Sequence, residues 1–205
     1  DAKLGALLFF RDRASGGADC ASCHAGDFFT DEEHYVLAMP QVGRGQSVNI
    51  GATQDVGRFL VDGKPEHLYA FRTPTLLNVA VTGPWSHAGA YTTLEGVVRH
   101  HLNPAQALQN YDFGQLAPDV QTADTVANTS LALQQLYWVR NNGFTTVEDI
   151  ALSSEQVQQL VAFLHTLTDP CVEDRQCLDA WIPDPASPDP DGRRLVGHDQ
   201  FGNPF

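Results

Sequence analysis

Cys20-Ala21-Ser22-Cys23-His24 is the run of residues in this chain most able to do chemistry. Two thiols two residues apart can add across the vinyl groups of a haem, and the histidine that follows can place a nitrogen on its iron. Two rival chemistries share part of the pattern. A redox-active C-x-x-C wants a βαβ context, which the flanking sequence does not offer. A zinc site wants a second Cys or His pair at finger or ribbon spacing. Cys171 and Cys177 bracket VEDRQ with no histidine beside them and match that spacing poorly. The motif therefore implies one covalent haem c on Cys20, Cys23 and His24.

A haem iron has a sixth position, and the candidates are Met39, the only methionine, and the seven other histidines. Residues 92–102 read as a helix, with Thr92 and Glu95 as a capping box and Leu94, Val97, Val98 and Leu102 as apolar positions. At about 100° per residue, His101 falls in the middle of that apolar face and His100 on its edge. A lone histidine on an apolar stripe is commonly a satisfied core residue. A buried haem has to pack somewhere, however, and an apolar helix face with one polar group can line its pocket. Met39, in a loop-rich stretch 15 residues after the motif, stays a second candidate.

The elements that must position these groups are mainly helical. Residues 3–10 form a short apolar helix just before the cysteines. Residues 25–70 are loop-rich and broken by Gly43, Gly45, Gly51, Gly57 and Gly63. No Gly-Lys-Ser/Thr follows those glycines, so they make no phosphate loop. Residues 127–141 are helical up to Gly143. Residues 153–168 form the clearest helix, capped by Ser153 and Gln156, with Val157, Leu160, Val161, Leu164 and Leu167 on one face. Pro170 ends it, and from Ile182 the proline-rich, acidic IPDPASPDPDG should be extended. No alternating strand pattern of any length is visible.

The net charge is −13, with lysine only at positions 3 and 64, which excludes nucleic acid and anionic membrane surfaces as partners and suits a basic protein partner. No run reaches the 18 or so apolar residues of a membrane helix, so no membrane insertion is expected. With Cys20 and Cys23 taken by haem, Cys171 and Cys177 form an even, close couple that reads as a short-loop disulfide in an oxidising compartment. Haem attachment points to the same side of the membrane, the periplasm. A start at Asp1 fits a processed mature protein or a fragment.

The segment FRTPTLLNVAVTGPWSHAGAYTTLEGVVRHH, residues 71–101, resembles the C-terminal, electron-transfer haem domain of bacterial di-haem cytochrome c peroxidases and the related methylamine-utilisation haem enzymes. CASCHAGDFFTD at 20–31, MPQVG at 39–43, DVGR at 55–58 and AFLHTLTDP at 162–170 match in the same order. The resemblance covers about residues 3–170 and leaves the tail outside it. It implies a cytochrome c-like haem domain over 1–170, with loop-rich insertions and the first helix packed across the last, followed by a disulfide-closed, Pro/Asp-rich extended tail over 171–205.

The family's distal ligand lies fourteen residues beyond the histidine of its P-[YFW]-x-H-x-G motif; counted from His87, that is His101. Relatives carry Met or Tyr there, so histidine implies bis-histidine ligation. The resemblance places His87 near the haem edge, and offers the carbonyls of Thr82 and Pro84 to a calcium ion. Leu77 stands where relatives often have arginine, which leaves Arg58 and Arg72 as partners for the haem propionates. Family enzymes carry two C-x-x-C-H motifs, whereas this sequence holds one. The implied role is the electron-transfer haem domain of a periplasmic peroxidase that reduces hydrogen peroxide with electrons from a cytochrome or cupredoxin, acting with a second haem domain. The alternatives are a stand-alone carrier or cytochrome subunit, and an oxidase acting on a partner protein's side chains.

Overall fold

Helix α1, Ala2–Phe10, buries Gly5, Leu8 and Phe9 and lies against α6, Ser154–His165. Gly5 is what lets them touch: a Cβ there would sit 1.8 Å from the carbonyl oxygen of Gln159, so the two backbones meet with no room for a side chain. The first helix does pack across the last. In the computed structural model, residues 1–47, 53–182, 187–188 and 191–192 are described.

Between these two helices the chain makes β1, His34–Val36; α2, Phe59–Asp62; β2, Ala70–Arg72; α3, Leu94–Leu102; α4, Pro104–Gln109; and α5, Thr125–Asn141. The architecture is mainly helical, as expected. The ribbon β1–β2 is the exception: an antiparallel pair in which His34 faces Arg72, Tyr35 faces Phe71 and Val36 faces Ala70. Three residues per strand are too few to show a period of two in the sequence.

One apolar cluster gathers α1, α3 and α6 around Leu8, Phe9, Leu94, Val97, Leu160 and Phe163. A second joins the ribbon to α5 through Val36, Ala70, Ala132, Leu136 and Val139. Helix α6 keeps its expected capping box: Ser153 accepts from the Gln156 N–H, and the Gln156 side chain accepts from the Ser153 N–H. It ends at His165 rather than at 168, and Gln159 and Phe163 join its buried face because α1 crosses there.

The start of α3 differs from the expected box. Thr93, not Thr92, is the N-cap, accepting from the Gly96 N–H at 3.1 Å. Glu95 pairs instead with Arg99 one turn on and accepts from Gln158, while Thr92 donates to Gln115.

The chain divides into two units, Asp1–Leu167 and Thr168–Phe205. In the second, Cys171 and Cys177 form the expected disulfide. It spans a 3-10 turn, Pro170–Glu173, and a short helix α7, Arg175–Leu178, so the segment after 170 begins helical rather than extended. Most of the proline-rich stretch expected to be extended lies outside the described residues.

Candidate haem site

The C-x-x-C-H run is fastened to the end of α1. Ala18 N–H donates to the Leu8 carbonyl at 2.7 Å and Asp19 N–H to that of Arg11 at 3.0 Å. Gly17 lies so close to the Arg11 carbonyl, 1.9 Å from where a Cβ would be, that no larger residue fits. Asp19 takes a left-handed backbone (φ 54°) and turns the chain into a 3-10 turn, Cys20–Ser22. Ser22 Oγ donates to the Asp19 carbonyl at 2.7 Å, and His24 N–H donates to that of Cys20 at 2.9 Å. Cys20 on this turn and Cys23 at its end are both half-buried. Burial pushes the Cys20 thiol up to about 12 and raises that of Cys23 as well. A redox-active C-x-x-C needs a lowered thiol pKa, so this environment opposes that chemistry. Among the described residues no group of three His, Cys, Asp or Glu side chains is placed to hold a metal ion.

Opposite the motif stands His101. Its ring centre lies 6.4 Å from that of His24, with the planes 58° apart. Each ring is held by its Nδ1–H: His24 donates to the Phe29 carbonyl at 3.1 Å and His101 to that of Val97 at 2.8 Å. Nε2 of each ring is then the nitrogen that can carry a lone pair to a metal. Burial, reinforced by the neighbouring His101, pushes His24 down to about 4, and burial lowers His101 too. Both rings are therefore neutral near pH 7, the ligating form.

The spacing can be tested against a haem. Metal–imidazole bonds of about 2 Å on opposite sides of one iron, with each ring centre about 1 Å behind its nitrogen, put the centres about 6 Å apart. The observed separation matches that figure, so the residues fit a haem iron held from both faces.

His100 does not compete for the role. It is the more buried of the pair, fully enclosed where His101 is half-buried, which reverses the order expected from the apolar stripe. The stripe described one covered face, but α3 is covered on two. The segment after β1 lies over the second, where the Leu37 carbonyl accepts from His100 Nε2 at 2.7 Å while the Tyr91 hydroxyl meets Nδ1 at 2.8 Å. Met39, two residues beyond Leu37, is buried.

The remaining candidates have other partners. Arg58 Nε donates to Asp62 at 3.3 Å, and Asp62 also bonds His67. Arg72 donates to the Thr73 carbonyl and lies 3.9 Å from Glu32. The ribbon brings both arginines together, since Arg58 N–H donates to the Ala70 carbonyl two residues before Arg72. His87 stacks on Phe71 at 3.6 Å and bonds Asp55 through Nε2 at 2.9 Å, so it is anchored rather than a free loop residue. Thr82 and Pro84 flank a cis Gly83–Pro84 bond. Two carbonyls fall short of the six to eight oxygens a calcium ion takes, and no carboxylate cluster among the described residues adds to them. Calcium enters no step below.

Sequence reasoning missed Phe29. Its carbonyl holds His24, its backbone is left-handed (φ 53°), and its ring sits 6.0 Å from Phe9 and 6.4 Å from Phe163 at the helix crossing. No local pattern marks a residue that acts through its carbonyl. Gly5 and Gly17 had a signal: one interrupts an apolar helix, the other sits just ahead of the motif.

A mainly helical chain that sets two neutral histidines opposite one another beside C-x-x-C could hold a haem iron between them. No family model matches the chain. Over 115 residues it is 30% identical to the methylamine utilization protein MauG of Methylorubrum extorquens, covering 55% of this chain and 28% of that protein. It is 29% identical over 116 residues to the cytochrome-c peroxidase IdrP1 of Pseudomonas sp. strain SCT, 47% of this chain and 29% of the relative. A crystal structure of a MauG-like protein associated with microbial copper homeostasis shares the fold, with TM-score 0.52 and 22% identity over 88% of this chain and 51% of that one. Over part of its length the chain is similar to MauG proteins and cytochrome-c peroxidases. The matches span under a third of these two curated relatives' lengths.

Proposed function

We propose that this chain is a c-type cytochrome domain that carries electrons within a di-haem, peroxidase-like oxidoreductase. Cys20 and Cys23 would hold one haem covalently, and His24 and His101 would ligate its iron. The observation that carries this reading is the 6.4 Å pairing of His24 with His101, each ring tied back through Nδ1. When bound, the haem supplies a one-electron iron couple whose potential its axial ligands set.

The chain's own residues keep that couple in one geometry. The Phe29 carbonyl fixes the tautomer and plane of His24, and the Val97 carbonyl does the same for His101. With His24 and His101 both on the iron, no position would be left for peroxide, and the domain would pass electrons rather than cleave the O–O bond. Hydrogen peroxide would then be the substrate of the whole enzyme, reduced at a second haem domain, with a cytochrome or cupredoxin as donor. The Cys171–Cys177 disulfide favours an oxidising compartment, and the periplasm is where covalent haem attachment occurs. Among the described residues no helix is long and apolar enough to cross a membrane.

A second reading is an independent electron carrier, a role the same closed site would serve. Steady-state assays of the haem-loaded chain with hydrogen peroxide and a reduced donor test the closed site common to both. Turnover well below about 1 s⁻¹ is expected; enzyme-like rates at or above it would mean an open axial position.

A further inference from the structure

Two histidines follow one another on α3, and one of them has no nitrogen to spare. His100 is 0% exposed, with Nε2 2.7 Å from the Leu37 carbonyl and Nδ1 2.8 Å from the Tyr91 hydroxyl. A carbonyl only accepts, so the ring hydrogen sits on Nε2. Nδ1 is left to accept, and the Tyr91 hydroxyl donates to it. Every polar position of the ring is used.

The two partners come from different parts of the fold. Tyr91 belongs to the cluster around α1, α3 and α6, and is bridged through its backbone to Trp85. Leu37 lies between Val36 and Ala38, both buried in the cluster around α5. His100 therefore ties α3 to two points outside the helix. A helix fixed in that way cannot turn about its axis, and the neighbouring His101 turns with it. With the His101 imidazole about 6 Å from the helix axis, a 15° rotation would carry its nitrogen about 1.6 Å, most of a metal–ligand bond length.

We infer that His100 is a positioning residue: held by the Tyr91 hydroxyl and the Leu37 carbonyl, it locks the rotation of α3 so that His101 faces His24, and thereby sets how firmly His101 stays on the iron. The inference rests on the reading of His24 and His101 as the axial pair. It separates two adjacent histidines into a ligand and the clamp that aims it. A buried histidine with only a structural role would alter stability and leave ligand exchange alone.

The test uses haem-loaded wild type and the variants His100→Ala, His100→Gln and Tyr91→Phe. The readouts are the ferric spin state, the rate at which cyanide displaces an axial ligand, and the melting temperature. His100→Ala should remain low-spin at rest yet bind cyanide at least about 10-fold faster, in line with the effect of losing an outer-shell partner. Tyr91→Phe, which deletes one hydroxyl, should fall between it and wild type. His100→Gln, whose amide can accept from Tyr91 and donate to Leu37, should return the rate to within about threefold of wild type. A lowered melting temperature in His100→Ala with wild-type cyanide kinetics would overturn the inference. High-spin iron in that variant together with low-spin iron in His101→Ala would overturn it too, because His100 would then be the ligand. If His100→Ala does not fold, Tyr91→Phe decides: a wild-type exchange rate there refutes the clamp. A wild type without two-histidine low-spin iron removes the axial reading and the clamp together; a normal wild type with unmoved variants refutes the clamp alone.

Discussion

Replacing Gly5 with alanine should destabilise the domain, although alanine is the better helix former. The new Cβ would lie 1.8 Å from the Gln159 carbonyl oxygen, 2.5 Å from its carbonyl carbon and 2.9 Å from the Phe163 Cβ. An ordinary contact needs about 3.4 Å, so α1 and α6 would have to part by about 1.5 Å. The atoms in the way are largely backbone and cannot swing aside. Overpacking of this kind costs about 1–3 kcal/mol, and the backbone clash puts it at the upper end. The gain in helix propensity offsets about 1 kcal/mol. The net loss is about 2 kcal/mol, and at about 2–4 °C per kcal/mol for a chain this size the melting temperature should fall by about 4–8 °C. The crossing also carries Leu8 and Arg11, whose carbonyls hold Ala18 and Asp19 ahead of the cysteine motif, so the haem spectrum should broaden as well. Thermal unfolding of the haem-loaded protein followed by circular dichroism makes the measurement. A melting temperature equal to or above wild type would refute the close crossing.

Further outcomes follow from the site. The double variant Cys20→Ser/Cys23→Ser should lose haem staining on denaturing gels, because each thioether uses one thiol; full staining would dismiss covalent attachment. His101→Ala should give a high-spin ferric species that binds added imidazole, read by absorption spectroscopy. Installing methionine at 101 should raise the reduction potential, measured by titration, because thioether ligation favours ferrous iron. Asp62 titrates at about 2: burial works against this, but hydrogen bonds from His67, the Lys64 N–H and Arg58 outweigh it. A carboxyl lowered in the folded state stabilises the fold above its unfolded pKa and loses that contribution as pH falls. The stability difference between wild type and Asp62→Asn should therefore shrink as pH falls between about 4 and 2. Urea midpoints across that range check it.

The parts of the site that were readable in advance were those where a side chain acts directly and at fixed spacing. Cys20, Cys23 and His24 are adjacent in sequence, and His101 could be reached by helix position and by its offset from His87. The Ser153–Gln156 cap was legible because both partners lie within one turn. What escaped was set by contacts between distant segments. His100 is buried because Leu37, 63 residues away, comes to lie over α3, and no periodicity within the helix announces a second covering layer. Phe29 acts through its carbonyl, which every residue possesses. The ribbon pairing His34 with Arg72 is made of strands too short to show alternation. The cap of α3 shifted by one residue because Thr92 and Thr93 both offer a hydroxyl, and the choice depends on Gln115 taking up the first.

The central claim is that one iron is held between His24 and His101. Near-infrared magnetic circular dichroism of the ferric, haem-loaded protein addresses it most directly, because the charge-transfer band of low-spin iron reports its axial pair. Iron held by both rings should give a single low-spin band characteristic of two imidazole ligands. A methionine-type band would transfer the sixth position to Met39, and a high-spin band would mean that no second ligand is bound; either result contradicts the account.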